Sequence, residues 1–237
     1  MQRQQPDVDA TIGILMLNSR FHRYPGDIGN ARTWSFPVRY KTVADADPSN
    51  VIGLHDRRLL EPFKRAADEL IAEGVDGIVT TCGLLSIYQK ELAAHCRVPV
   101  AASSLLQVPM VERMLPPGKR VGIVTYSAAT MNGPYLDAVG LARDIPLIGM
   151  AADSSFVRWI RDGDNSVPYA TLRDEVVTTA ESLVGRHPQI GALVLECTNL
   201  APFSAAIVDR IGMPVYDTVT MVNAFHAAIR PRRYHID

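Results

Sequence analysis

Three cysteines in 237 residues are too few for a disulfide framework. Cys82 and Cys96 both fall in segments that read as regular structure. The chain also lacks an excess of charge of either sign. Its 24 basic and 25 acidic side chains leave a formal net charge of −1, so there is no electrostatic footprint for nucleic acid or an anionic membrane. No apolar run approaches the roughly 20 residues that span a bilayer. The opening MQRQQPDVDA is polar and lacks the apolar core of a signal peptide. The expectation is a cytoplasmic chain with reduced thiols and neither a membrane nor a nucleic-acid partner. The histidines and cysteines show no His-x-x-x-His or Cys-x-x-Cys spacing, so no metal is expected. PGDIGN, 25–30, has neither the spacing nor the Lys-Ser/Thr of a phosphate loop.

What is present is an apolar fraction of 47%, enough for a sizeable core, arranged as strands alternating with amphipathic helices. TIGILMLN (11–18) and FPVRYKTV (36–43) are strand-like. Residues 57–73 carry Leu59, Leu60, Phe63, Ala66, Ala67, Leu70 and Ile71 at helical spacing, and Gly74 supplies a stop. A strand at 76–81, a helix from about 86, a strand at 98–102 and a helix over 104–115 follow. Such strands suit a parallel sheet covered on both faces, the α/β class.

After LPPGKR (115–120), read as a hinge or surface turn, the pattern restarts. RVGIVTYSA (120–128) matches TIGILMLNS (11–19) with Gly122 laid on Gly13. Cys82 precedes Pro99 by 17 residues, and Cys197 precedes Pro214 by the same 17. Each interval carries a helical stretch, SIYQKELAAH in one and FSAAIVDRI in the other. Repeated order, element type and spacing indicate a duplicated βα unit. The expected architecture is two pseudo-symmetric parallel-sheet α/β halves with the active site in the cleft between them. The halves would be 1–115, joined by the C-terminal segment 217–237, and 116–216.

Both repeated cysteines stand at the carboxyl ends of strands, where parallel sheets bind ligands and helix N-termini favour a thiolate. Two thiols approaching a carbon acid from opposite faces suit proton removal on one side and proton return on the other. A single cysteine in such a place is more often a small core residue, and the equivalent placement in two repeats is what argues for chemistry. Cys96 aligns with Ile211 and reads as packing.

The TTCG and ECTN pair resembles the aspartate/glutamate/hydantoin racemase superfamily, from the strand at 11–18 to a helix at 219–229. The resemblance implies no pyridoxal phosphate or other cofactor, a homodimer, and a small carboxylate-bearing substrate. It implies that Cys82 and Cys197 are the acid/base thiols and that Thr198 contacts the substrate carboxylate. It places Thr81, Gly83, Asn18, Ser19, Tyr126 and Ser127 along the pocket. Glutamate racemases show Cys-Thr-His at the second site, where this chain has Asn199, able to orient a carboxylate or amide but not to carry a proton. Many relatives have asparagine at the position of Gly83. Both cysteines are present, unlike in the one-cysteine arylmalonate decarboxylases.

The loop 18–33 is rich in Gly, Asn and basic residues. It reads either as a lid whose Arg20 or Arg23 clamps a carboxylate or as a solvated turn. Glu196 adjoins Cys197, but strand neighbours alternate faces, which favours a turn cap over a supporting role in the site. The basic RPRRYH (230–235) reads as a solvated tail. The function expected from all this is a cofactor-independent amino-acid racemase or epimerase. The alternatives are a hydantoin racemase, a maleate-type cis–trans isomerase and, from another class, a thiol redox or ligand-sensing module.

Overall fold

The computed structural model describes residues 9–51, 57–131 and 133–231. The first eight residues, and the basic tail from residue 232 onward, lie outside the described residues. Strands β1 (Ile12–Leu17), β2 (Val38–Val43), β3 (Gly77–Thr80) and β4 (Val100–Ala101) form a parallel sheet in the order β2-β1-β3-β4. Strands β5 (Arg120–Thr125), β6 (Leu147–Gly149), β7 (Ile190–Leu195) and β8 (Val215–Tyr216) repeat that order as β6-β5-β7-β8, again parallel. The two sheets have one topology, as the repeated cysteine–proline spacing implies.

The helices are α1 (Pro48–Val51), α2 (Leu60–Ala72), α3 (Gln89–His95), α4 (Val108–Met114) and α5 (Gly133–Ala138), followed by α6 (Ser155–Asp162), α7 (Tyr169–Arg186), α8 (Ser204–Ile211) and α9 (Thr218–Ile229). Among the described residues no helix is long and apolar enough to cross a membrane. Helix α2 buries Phe63, Ala67 and Leu70, the stripe its spacing predicts, against Leu15 and Ile78. The opposite face of that sheet, Ile12, Ile14 and Val79, is covered by Met221 and Val222 of α9. The chain's last helix thus returns to the first sheet. Gly77 permits this approach, because a Cβ there would collide with Phe225 and Ile229. On the second sheet, α7 buries Leu172, Val176, Ala180 and Leu183 over Leu193 and Leu195.

Several elements differ from expectation at their ends. The strand expected at 98–102 pairs only through Val100–Ala101, and the strand expected from residue 36 begins at Val38, since Pro37 has no N–H to offer a ladder. The helices expected from about 86 and at 104–115 each begin as a 3-10 segment, Gly83–Tyr88 and Ser104–Gln107, before becoming α-helical. The second half has a matching 3-10 segment, Thr198–Phe203, ahead of α8.

Candidate active site

Each repeated cysteine lies two residues past the end of a strand and caps a 3-10 segment. Cys82 and Cys197 are extended (φ −147°, ψ 119° and φ −70°, ψ 123°) and cap Gly83–Tyr88 and Thr198–Phe203. The carbonyl of Cys82 accepts from Leu85 N–H at 3.0 Å, and that of Cys197 from Leu200 N–H at 3.0 Å. This turn also aims N–H groups back at the sulfur: Leu84 and Leu85 at Cys82, Asn199 at Cys197. Cys82 is partly exposed and Cys197 is buried. Cys96 lies at the C-terminus of α3, away from both.

The two sulfurs open into one cavity between the sheets, walled largely by apolar side chains such as Leu17, Phe21, Leu84 and Ile160. Ser19, Arg23, Thr81, Gly83, Tyr126 and Asn199 also line it. Three other residues expected there lie elsewhere. Asn18 borders an outer polar chamber with Arg20, Asp47 and Arg161. Thr198 is turned to the protein: its hydroxyl donates to the Thr81 carbonyl at 2.8 Å, tying the two cysteine turns together. The Ser127 hydroxyl accepts from Thr130 N–H at 3.3 Å and so closes its own turn.

The loop 18–33 is not a solvated turn. It buries Asp27 and Ile28 and lays Phe21 and Tyr24 on Trp159 of α6. Asp27 organises it. One carboxylate oxygen accepts from Arg23 and from Gly29 N–H, both at 2.7 Å, and the other accepts from Asn199 Nδ2 at 2.6 Å. Arg23 donates as well to Ser19 Oγ at 2.9 Å and has N–H groups left for a ligand. The Cys197 thiol faces Asn199 Oδ1 at 3.6 Å. Asn199 therefore joins the second cysteine to the arginine loop.

Glu196, expected to cap a turn, also lines the cavity. Strand β7 ends at Leu195, so alternation of faces no longer governs the next two residues. The Glu196 side chain is buried, accepts from Thr125 Oγ1 at 2.6 Å, and lies over Gly83, where a Cβ would collide with its main-chain oxygen and Oε1. That contact explains glycine after the first cysteine. Burial pushes the Glu196 carboxyl up to about 7, with the Thr125 hydroxyl opposing. Burial, reinforced by Glu196, pushes the Cys82 thiol up to about 12, against the pull of the Leu84 and Leu85 N–H groups and Arg23. Cys197 is raised well above the usual thiol range by burial, then by Glu196, with Cys82 and Asp27 adding to the effect. Burial and Glu196 disfavour both thiolates; Arg23 eases Cys82 alone, and Asp27 adds its charge against Cys197 alone. Among the described residues no three His, Cys, Asp or Glu side chains gather as a metal site would need.

The pair of parallel sheets is the fold of solved racemases and of arylmalonate decarboxylase. A glycine-to-cysteine mutant of arylmalonate decarboxylase superposes with a TM-score of 0.65 at 16% identity, covering 96% of this chain and 97% of that one. Allantoin racemase from Pseudomonas fluorescens gives 0.65 at 17%, covering 95% and 100%. No family model matches the sequence. Among curated proteins the chain is similar to a dimethylsulfoniopropionate lyase of Durusdinium sp. clade D, 27% identical over 229 residues, 91% of this chain and 74% of the relative. It is 23% identical over 230 residues to dimethylsulfoniopropionate lyase 5 of Emiliania huxleyi (strain CCMP1516), spanning 92% of this chain and 45% of that protein.

These relatives support an enzyme and correct the class expected from the thiol pair. The amino-acid racemase, its hydantoin and cis–trans isomerase alternatives and the thiol-sensing module all give way to sequence relatives that are lyases. The racemases superpose at identities that establish the fold alone. The physical reason for the misreading is simple. Thiols beside a carboxylate site make proton abstraction available, but they do not determine what the resulting carbanion does next.

Proposed function

We propose that this protein is a carbon–sulfur lyase that eliminates dimethyl sulfide from dimethylsulfoniopropionate. The substrate is a zwitterion with a carboxylate two carbons from a dimethylsulfonium. Arg23, oriented by Asp27 and Ser19, holds the carboxylate. The Cys82 thiolate removes the proton from the carbon next to the carboxylate. Those electrons form the carbon–carbon double bond, the carbon–sulfur bond breaks, and sulfur leaves with the bonding pair as neutral dimethyl sulfide. Acrylate remains, and the Cys82 thiol returns its proton to solvent. The leaving group departs uncharged and needs no acid, so one base suffices.

What carries this reading is the asymmetry of the thiols in a chain whose sequence relatives are lyases of this sulfonium. Inversion at carbon calls for two comparable acid/base groups. Elimination calls for one, and the thiol within reach of Arg23 is the one favoured to ionise. The substrate assists, because a sulfonium entering an apolar cavity stabilises a nearby thiolate. Incubating the purified protein with dimethylsulfoniopropionate should yield dimethyl sulfide in the headspace and acrylate by NMR in equal amounts. Turnover to another product, or no turnover, overturns the reading.

A further inference from the structure

The cavity wall is mostly hydrocarbon, and two ionisable groups of opposite sign break it besides the thiols and Tyr126: Arg23 and Glu196. Arg23 already has an anion at its back in Asp27. Among the described residues no cation acts on Glu196. Thr125 Oγ1 donates to Oε2, and desolvation outweighs that bond. A carboxylate buried without a cation is costly, and simple packing would have placed an apolar residue there. The chain instead keeps the carboxyl there, packed over Gly83, whose absent Cβ leaves room for both the main-chain oxygen and the side chain of Glu196. A group costly to bury, kept on the cavity wall without a cation, is explained by a ligand that completes it.

We propose that Glu196, seated over Gly83, is the counter-charge by which this cavity selects carboxylates bearing an onium group, so that a cation is bound in preference to a neutral group of the same shape. The arrangement makes the cavity an electrostatic complement of a zwitterion, with Arg23 for the anion and Glu196 for the cation. Gly83 is then a specificity-determining position at one remove, since any side chain there displaces the carboxyl. The identity of the natural cation rests on the lyase reading; the preference for a cation does not.

A pair of non-sulfonium ligands tests this independently of turnover. 3-(Dimethylammonio)propionate and 4-methylpentanoate have the same heavy-atom skeleton and differ in the charge at one atom. By calorimetric titration near pH 8, the wild-type protein should bind the ammonium compound at least about tenfold more tightly. Glu196→Gln should bring the two affinities together, chiefly by weakening the cation, and Gly83→Ala should act in the same direction. Equal affinities in the wild type overturn the proposal, as does a preference that survives in a folded Glu196→Gln protein. The wild-type comparison decides even if both variants misfold. A cation preference lost in Glu196→Gln, in a protein that releases no dimethyl sulfide, upholds the inference and sinks the lyase reading. Dimethyl sulfide release with no cation preference does the reverse.

Discussion

At the scale of single residues, chemistry turns on how two thiols in matching positions come to differ. Both are capped by backbone N–H groups, and burial raises both. Arg23 then favours the charged form of Cys82, while Asp27, fixed to Asn199, disfavours that of Cys197. Because the reactive form is the thiolate and Cys82 starts pushed up to about 12, only a small fraction of free enzyme is competent at neutral pH. The sign follows: kcat/KM for elimination should rise with pH from 7 through 9 without a plateau, by roughly tenfold per unit where Cys82 alone titrates. A pH–rate profile measured with constant ionic strength checks this. A profile that levels off below pH 8 would mean that the base is another group or an already ionised thiol.

At the scale of elements, the site is built by strand ends that run into 3-10 turns, and the turns are bonded across the halves. Thr198 Oγ1 donates to Thr81 O, and Ser104 Oγ donates to Leu195 O at 2.7 Å. Thr198→Val keeps the volume and leaves the Thr81 carbonyl unpaired, so it should cost about 1–3 kcal/mol, read from urea unfolding. It should also lower kcat, since the two cysteine turns lose a direct tie; an unchanged stability would remove Thr198 from the structural account. The order of these elements was legible because the duplicated Cys-to-Pro spacing is a register mark that survives divergence. The turns were not. A 3-10 segment and an α-helix share apolar spacing over six residues, and only the hydrogen bonding after Cys82 and Cys197 distinguishes them. Helix α7 escaped notice because its buried stripe is narrow, one side chain every three or four residues among threonines and charges.

At the scale of the whole molecule, the loop 18–33 carries Asp27 from the first half to Asn199 of the second, so Arg23 and Cys82 of one half meet Cys197 of the other through contacts far apart in sequence. No short sequence window contains that network, which is why the thiols were legible and the reaction was not. Glu196 ties the site to global stability. Its carboxyl is raised from 4.5 to about 7 in the fold, so the folded state holds that proton more tightly. This contribution is fully present below pH 4.5 and is lost as pH rises through about 7. It amounts to about 3 kcal/mol between those limits. Unfolding free energies at pH 5 and pH 8 should therefore differ by less in Glu196→Gln than in the wild type. The variant should gain at pH 8 relative to pH 5, and equal pH dependences would place the Glu196 carboxyl outside the linkage.

The central claim is that one thiol, Cys82, performs the elimination. Its most direct test is dimethyl sulfide release from dimethylsulfoniopropionate by the wild type, Cys82→Ser and Cys197→Ser, with folding checked by thermal melts. The account predicts release by the wild type, a loss of about 100-fold or more in Cys82→Ser, and substantially more remaining activity in Cys197→Ser. Full activity in Cys82→Ser, or an equal loss in both variants, would contradict it.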